Sequence, residues 1–236
     1  MSLKNWDNRN WLSSKKYILS FNEFLIKFNN LHPNSRILDI GCGRGKISGS
    51  LSSKLRLNSK PIGIDIINHK DKDRRINFKK IDALSFLSKN KIKFDLILIK
   101  QTLHLLKFNQ IKILLKQLKK HLNVDGKIFI LTLNPHKNEL PNFELMKKKL
   151  SKALLRDKKI LSYILKLYPK SILKKFSYKV KINKDKYKDM IAKKYISILL
   201  KMSKKQILLG IKEINLKYKR NIKFNDKLIC IIIKNK

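Results

Sequence analysis

Three acidic residues each follow a short apolar run, and one of them leads directly into a glycine-rich turn. The stretch "RILDIGCGRGKIS" (36–48) places Asp39 two residues before Gly41, and Gly43 and Gly45 follow at alternate positions. Glycines in such a turn let a ligand approach bare backbone, because they carry no Cβ. A turn of this kind could hold a pyrophosphate, a triphosphate or an adenosine that bears a sulfonium.

The spacing of the glycines tests the two phosphate ligands. A P-loop needs a glycine five residues before its Gly-Lys pair and a Ser or Thr after it, but Ile40 and Ile47 flank Gly45-Lys46 at those places. The dinucleotide fingerprint needs a third glycine three residues after the second, where this chain has Lys46. Both phosphate patterns therefore fail. A structural turn that binds nothing stays the alternative.

The charges favour the adenosine-bearing sulfonium. Asp39 at a strand end would repel a pyrophosphate but attract a ligand with an ammonium and a sulfonium. Asp65 ends the apolar run "GIDI", where a carboxylate can accept hydrogen bonds from both ribose hydroxyls. Asp82 follows "KKI", and it could also be the N-cap of a helix over "ALSFL".

The pattern Asp39-x-Gly41-x-Gly43-x-Gly45 resembles the first motif of the class I S-adenosylmethionine-dependent methyltransferases. The resemblance covers most of the chain and implies that S-adenosyl-L-methionine is bound and S-adenosyl-L-homocysteine is the product. It implies a set of cofactor contacts from the strand ends and from an aromatic residue of an N-terminal cap: Asp39, Gly41, Gly43, Gly45, Asp65, Ile66, Asp82, Ala83, Lys100 and Tyr17. Within this set, the resemblance implies that Asp82 holds the adenine amino group and the Ala83 N–H contacts the ring, which is compatible with Asp82 as an N-cap.

The segment after the fourth predicted strand gives information about the group that accepts the methyl. Small-molecule members of the resembling family often carry a histidine there, and "QTLHLL" supplies His104. The resemblance implies that His104 lies beside the methyl group, where it could be a general base; alternatively it begins the next helix and packs against a lid. "KQTL" stands where base-amino methyltransferases carry Asn-Pro-Pro-Tyr or Asp-Pro-Pro-Tyr, which argues against an adenine-N6 or glutamine-amide acceptor.

Residues 187–214 resemble the matching region of methyltransferases akin to trans-aconitate methyltransferase. This looser resemblance names no substrate. The formal net charge of +41 favours an anionic substrate, and the first hypothesis is a small anionic metabolite methylated on a carboxylate or hydroxyl oxygen. Only eight of the 57 basic residues are arginine, and the lysines are spread over nearly every predicted helix. An RNA methyltransferase that uses the lysine-rich surface, or a non-catalytic cofactor-binding protein, stays the alternative.

Cysteine usage and hydropathy argue against a metal-binding protein, a membrane-spanning protein and a secreted protein. Cys42 and Cys230 have no Cys or His at metal-ligand spacing, so we expect no metal site. The apolar runs are far shorter than the ~20 residues of a membrane span, and the opening "MSLKNWDNRNW" lacks the apolar segment of a signal peptide. We expect a cytoplasmic protein without a membrane span.

Alternating strand and helix patterns predict an α/β fold, a Rossmann-like, doubly wound, seven-stranded mixed sheet. The predicted strands are 36–41, 61–66, 76–84, 93–100, 125–134, 176–183 and 226–234. The predicted helices cover 13–28, 46–55, 109–122, 142–176 with a break near Pro169, 184–201 and 204–219. The last strand follows a turn at "KFND" and joins the sheet edge antiparallel. We expect one methyltransferase domain (1–236) with an N-terminal helical cap (1–30) and a helical insertion or lid (136–176).

Overall fold

The computed structural model describes residues 10–235. The strands are β1 (Ile37–Ile40), β2 (Ile62–Asp65), β3 (Asn77–Lys80), β4 (Phe94–Lys100), β5 (Leu122–Leu133), β6 (Ile172–Asn183) and β7 (Asn221–Lys234). The helices are α1 (Lys15–Lys27), α2 (Lys46–Leu55), α3 (Ala83–Lys89), α4 (Phe108–Lys120), α5 (Glu144–Leu167), α6 (Lys184–Ala192), α7 (Ser197–Leu200) and α8 (Lys204–Lys217). Short 3₁₀ helices cover Trp11–Ser13 and Leu103–Leu105.

All the strands form one sheet in the order β3-β2-β1-β4-β5-β7-β6. The pairs among β1 to β5 are parallel, and β7 is antiparallel to both of its neighbours. The predicted Rossmann-like, doubly wound mixed sheet with an antiparallel last strand is therefore confirmed. Parallel strands end at the same edge of a sheet, so the carboxyl ends of β1, β2 and β4 lie together.

Helices cover both faces of the sheet, and β4 shows why. Leu96 and Leu98 are buried in one core, together with Phe21 of α1. Ile97 and Ile99 are buried in a second core on the opposite face. Because successive side chains of a strand point to opposite faces, a strand that is apolar at every position needs a cover on both sides.

The position of β7 differs from the prediction. We expected the last strand at the sheet edge, but β7 lies between β5 and β6, and β6 is the edge strand. β7 also begins at Asn221, since Phe224 and Asn225 of the predicted "KFND" turn pair with Val180 and Lys179 of β6. Alternate side chains from Leu228 to Ile233 are buried in the two cores on opposite faces of the sheet, which accounts for the unbroken apolar run of β7.

Several predicted element ends were wrong, one because a polar side chain caps a helix and one because a strand contains a register shift. The predicted third strand (76–84) stops at Lys80, since Asp82 caps α3. The Asp-Gly pair expected to precede the fifth strand lies inside β5, where the pairing with β4 shifts register in an irregular bulge.

The helical predictions after β5 also need correction. The predicted helical stretch 142–176 is one helix that ends at Leu167, and Ile172 already begins β6. The predicted helix 184–201 is divided into α6 and α7, because Lys194 adopts a left-handed φ of 53° that interrupts it. The predicted cap of residues 1–30 begins outside the described residues.

Helix α5 passes from one face of the sheet to the other. Met146 and Leu150 in its first half are buried in the core that contains Phe21, whereas Ile160 and Ile164 are buried in the opposite core. The middle of α5 therefore crosses beside the carboxyl edge of the sheet. None of the helices in residues 10–235 has both the length and the apolar character needed to cross a membrane.

Candidate active site

A cavity of about 250 Å³ opens at the carboxyl edge of the sheet, where β1, β2 and β4 end. We name it the main cavity. Most of the site residues predicted from the sequence line it, namely Asp39, Gly41, Gly43, Asp65, Ile66, Asp82, Ala83, Lys100 and His104. Gly45 and Tyr17 are not among its lining residues.

The glycine turn adopts a backbone conformation that other residues rarely reach. Gly41, Gly43 and Gly45 have φ values of 70°, 57° and 68°, which only glycine tolerates at low cost. A Cβ on Gly41 would overlap the side chain of Thr102, and one on Gly45 would overlap Ile76. Gly45 thus serves the packing of the turn, and Gly41 and Gly43 form part of the cavity wall.

Asp65 joins the end of β2 to the glycine turn. The Gly43 N–H donates to Oδ2 of Asp65 at 2.9 Å, and the Ile67 N–H donates to Oδ1 at 2.9 Å. A carboxylate oxygen can accept more than one hydrogen bond, so both oxygens keep capacity for a ligand. These two bonds fix the carboxylate at the cavity wall.

Asp39 is a buried acid at the floor of the main cavity. Its side chain accepts a hydrogen bond from Ser48 Oγ of α2. Burial raises the pKa of Asp39 to about 6, although the Ser48 hydrogen bond and the charge of Lys100 act in the opposite direction. A cation in the cavity would stabilise the ionised form.

Lys100 ends β4 and lies against two aromatic rings of α1. Its Nζ is 5.4 Å from the ring centroid of Tyr17 and 5.5 Å from that of Phe21. Tyr17 itself is fully buried, so it lies behind Lys100, and a direct contact of Tyr17 with a cofactor stays a prediction. The next residue, Gln101, has a left-handed φ of 52°, a strained conformation for a non-glycine residue that turns the chain along the cavity wall.

Asp82 is the predicted N-cap of α3 and is also a wall residue of the main cavity, while its contact with adenine stays a prediction. It caps α3 by accepting a hydrogen bond of 3.0 Å from the Ser85 N–H, and it also lines the main cavity beside Ala83. The hydrogen bonds to Ser85 lower the pKa of the Asp82 carboxyl. The acid is therefore ionised at neutral pH.

His104 lies in the 3₁₀ helix that follows β4 and lines the main cavity. His104 does not begin α4, which starts at Phe108. The other half of that alternative agrees with the structure, because the His104 segment contacts α5 in the predicted lid: Arg156 Nη1 donates a hydrogen bond to the His104 carbonyl oxygen. Burial lowers the pKa of His104 below its ordinary value, and the nearby charge of Asp157 opposes this effect. The imidazole is therefore neutral at neutral pH, the form that accepts a proton.

Several cavity or supporting residues had no signal in the sequence. His69, which is 2% exposed, lines the main cavity from the loop after β2. Ser48 donates to Asp39 from nine residues away, within the stretch that contains the glycine turn. Thr102 and Asp157 act on Gly41 and His104 from distant segments of the chain. No local pattern predicts these last two contacts, because the tertiary structure alone brings the segments together. Within residues 10–235, no group of three or more His, Cys, Asp or Glu could hold a metal ion.

Solved structures with the same fold span nearly the whole chain. The structure is similar to the plantazolicin methyltransferase BpumL, solved in complex with a pentazolic desmethylPZN analog and SAH, with 20% identity over 98% of this chain and 89% of that chain (TM-score 0.54). It is similar to a SAM-dependent methyltransferase from Archaeoglobus fulgidus, with 20% identity over 94% of each chain (TM-score 0.55). A putative methyltransferase from an antibiotic biosynthesis pathway of Anabaena variabilis has 14% identity over 90% of this chain and 96% of that chain (TM-score 0.64).

The sequence gives no significant match to a curated protein. A family model described as "Methyltransferase domain" matches residues 31–195, which is well over half of the chain. This match includes β1 to β6, the glycine turn, all three predicted acids and His104. The chain therefore belongs to the methyltransferase domain family, within the class I S-adenosylmethionine-dependent methyltransferases.

Proposed function

We propose that this enzyme binds S-adenosyl-L-methionine in the main cavity and methylates an oxygen, carboxylate or hydroxyl, of a small anionic metabolite. The observation that carries the proposal is the convergence of Asp39, Asp65 and Asp82 with the glycine turn on one cavity. Three acids around bare backbone suit a ligand with hydroxyl, amino and cationic groups better than a phosphate.

The described residues fit the cofactor along the length of the cavity. Asp65 would accept the ribose hydroxyls, because both of its carboxylate oxygens are fixed by backbone N–H groups and keep free lone pairs. Asp82 and Ala83 would hold the adenine, and Ile66, which is 63% exposed, offers an apolar surface beside it. Asp39 would attract the cationic part of the methionine, since its own charge is buried.

The same reasoning gives Lys100 a role at the methionine end. Its ammonium would pair with the methionine carboxylate, and its position over the rings of Tyr17 and Phe21 limits the directions in which it can point. Tyr17 would then act on the cofactor through Lys100. When bound, the cofactor supplies an electrophilic methyl carbon on a sulfonium, and the protein's task is to align the acceptor with it.

The part of the main cavity near His104 would bind the methyl acceptor. The residues that line the cavity and would contact the acceptor are Leu12, Ser13, Leu105, Leu106 and Ser197. Mostly apolar walls with a few polar groups exclude water and fix orientation. A carboxylate acceptor needs no base, whereas a hydroxyl would give its proton to neutral His104. The net charge of +41 favours the approach of an anion.

Calorimetric titration with S-adenosylhomocysteine tests the cofactor site. We expect micromolar binding to the wild-type chain and a loss of about 100-fold in Asp65→Ala, because two hydrogen bonds to a charged acceptor disappear. Asp71→Ala is the matched control, since Asp71 carries the same charge but is exposed and is not a cavity residue. Equal affinity in all three proteins would refute the assignment of Asp65. No binding to the wild-type chain would refute the cofactor site.

An RNA acceptor is the second candidate, and the net charge of +41 is the observation that favours it. Phosphate contacts make RNA binding steeply dependent on salt, so fluorescence anisotropy with a labelled RNA at several salt concentrations distinguishes the two acceptor classes. Tight, sequence-dependent binding at physiological salt would favour RNA. Weak binding that does not depend on the RNA sequence would indicate only non-specific electrostatic attraction to the lysine-rich surface. The small anion would then remain the proposed acceptor.

A further inference from the structure

Strand β7 places one acid on an otherwise apolar face of the sheet. Every second residue from Ile222 to Ile232 points to the same face, and all of them except Asp226 are hydrophobic residues buried in the core that contains Phe21. Asp226 is only 1% exposed. A buried carboxylate is costly unless a hydrogen-bonding or charged partner compensates it, so this position requires a partner for the acid.

That partner is Trp11, the first residue of the N-terminal 3₁₀ helix. The Trp11 indole N–H donates a hydrogen bond of 2.9 Å to Oδ2 of Asp226, which lies 215 residues away in sequence. The ring of Phe224, on the same face of β7, packs edge-on against the indole with the ring centroids 5.0 Å apart. The hydrogen bond is buried, and a hydrogen bond shielded from water is stronger than one in solvent. The 3₁₀ helix is thereby tied to the last strand of the sheet.

A second segment reaches the same indole. The ring centroid of Tyr195 lies 5.6 Å from that of Trp11, also in an edge-on arrangement. The Tyr195 hydroxyl is 2.8 Å from the Tyr187 hydroxyl. Because the Tyr187 hydroxyl already donates to the Pro141 carbonyl oxygen, Tyr195 is the donor between the two tyrosines. The indole of Trp11 therefore joins the 3₁₀ helix to the segment just before α7.

Both segments supply walls of the main cavity. Leu12 and Ser13 follow Trp11 directly, and Ser197 begins α7 two residues after Tyr195. Leu12, Ser13 and Ser197 all line the main cavity, and the proposed function assigns them to the methyl acceptor. The walls against which the acceptor would lie are thus held from behind by one buried hydrogen bond and by ring contacts.

We propose that Asp226 is a positioning residue for the methyl acceptor: by holding the Trp11 indole, its carboxylate fixes the 3₁₀ helix and, through Tyr195, the start of α7 as walls of the main cavity. This inference rests on the proposed function, in which the acceptor lies against these walls. Asp226 is not among the lining residues of the main cavity, so it acts through Trp11.

A general contribution to stability is the rival explanation, since a hydrogen bond between distant segments stabilises the fold as a whole. The two explanations differ in where they act. Loss of a positioning contact opens the two walls locally, whereas a general loss of stability increases opening throughout the chain. Amide hydrogen exchange, followed by NMR of the ¹⁵N-labelled full chain, measures opening residue by residue and needs neither cofactor nor acceptor.

Three amides that are hydrogen-bonded within the two segments report on the walls. The N–H groups of Leu12 and Ser14 report on the 3₁₀ helix, and that of Leu199 reports on α7. Asp226→Val removes the acceptor with a side chain that suits a β-strand. We expect exchange at these three amides to become about tenfold faster, as for the loss of a hydrogen bond to a charged group.

Two further variants make the measurement specific. Asp226→Asn keeps an oxygen that can accept from the indole, so it should restore most of the protection at the three amides. Ile111→Val is the matched control, because it removes part of a buried side chain of α4 in the opposite core and so lowers stability away from Trp11. Unchanged exchange in Asp226→Val, or a uniform increase like that in Ile111→Val, would overturn the proposal.

The test also works if Asp226→Val does not fold. The chain has two tryptophans, so Trp6→Phe leaves a single indole N–H signal, that of Trp11. We expect this proton to exchange slowly with solvent, because the structure buries it against Asp226. An indole proton that exchanges as rapidly as that of free tryptophan would overturn the proposal.

Calorimetric titration with S-adenosylhomocysteine shows which part of the main cavity Asp226 serves. We expect no loss of affinity in Asp226→Val, because the proposed cofactor contacts at Asp65 and Asp82 are unchanged. A loss as large as that expected for Asp65→Ala would overturn the assignment to the acceptor walls. No binding to the wild-type chain would refute the proposed function, and the exchange measurements would still decide whether Asp226 holds the two segments.

Discussion

The main-chain N–H of Gly43 donates a 2.9 Å hydrogen bond to Oδ2 of Asp65. This bond joins the glycine turn after β1 to the end of β2, so the two most recognisable sequence features of the chain form one wall of the main cavity. Without a Cβ on Gly43, ligand and carboxylate can approach the same stretch of backbone. The acid and the glycine therefore act as one unit.

Replacing Gly41 by alanine should destabilise the fold. The residue has a φ of 70°, and its Cβ would overlap Oγ1 and Cγ2 of Thr102. We expect a loss of about 1–3 kcal/mol in the free energy of unfolding, measured by urea denaturation. The double variant Gly41→Ala/Thr102→Ala should recover part of this loss, because it removes the overlap but not the backbone strain. Strictly additive effects would contradict the proposed overlap.

Cofactor affinity should depend on pH through Asp39. Its pKa of about 6 means that protonation on going below pH 6 removes the negative charge that would attract the cationic methionine end. We expect the affinity for S-adenosylmethionine to fall below pH 6 in calorimetry. Asp39→Asn should bind weakly with no such pH dependence. Ser48→Ala should move the midpoint to higher pH, since the Ser48 hydrogen bond holds the pKa of Asp39 down.

Whereas cofactor affinity should rise with pH near pH 6, the contribution of Asp39 to the free energy of unfolding should fall as the pH rises. The folded-state pKa of Asp39 lies above its ordinary value, so the folded chain binds this proton more tightly than the unfolded chain. The contribution of Asp39 to stability is then largest at low pH and declines as the pH rises through about 4 to 6. Urea midpoints of Asp39→Asn, compared with the wild type across this range, should lack this decline. A parallel pH dependence in both proteins would contradict the assignment.

Lys100→Met should weaken binding of ligands that carry the methionine carboxylate. We expect the affinity for S-adenosylhomocysteine to fall about tenfold, as for loss of a hydrogen bond to a charged group. Binding of 5′-methylthioadenosine, which lacks the amino acid part, should change little. Lys93→Met is the matched control, because Lys93 is exposed and precedes β4. An equal loss of affinity for both ligands would contradict pairing with the methionine carboxylate and would indicate that Lys100 affects the shape or stability of the whole cavity.

Gln101 offers a test of backbone strain at the site. It has a left-handed φ of 52°, and its N–H donates a hydrogen bond of 2.7 Å to the Leu131 carbonyl oxygen. Gln101→Gly should raise the free energy of unfolding by up to about 1 kcal/mol, whereas the β-branched Gln101→Val should lower it. Urea denaturation of the two variants provides the measurement. A loss in Gln101→Gly as large as in Gln101→Val would indicate that the side chain, not the backbone, matters.

The local sequence predicted the parts of the site that depend on neighbouring residues. An apolar run, an acid and glycines at alternate positions specify a strand end and a left-handed turn, and this needs no information about distant segments. Since parallel strands share their carboxyl edge, the meeting of Asp39, Asp65 and Lys100 at one edge followed from the order of elements, whereas the cofactor contact of Lys100 was implied by the family resemblance. The predicted end of the third strand was wrong because Asp82 caps α3, so β3 already stops at Lys80.

The sequence by itself thus determined the sheet, the glycine turn and the acids around it. Only the tertiary structure decided that β7 lies inside the sheet, that Tyr17 lies behind Lys100, and that Asp157 of α5 and His104 line the same small cavity. Each of these depends on contacts between segments far apart in the chain, whose formation is governed by burial of complementary surfaces and not by the order of neighbouring residues. Such contacts leave no local pattern, because many different sequences can cover the same apolar face.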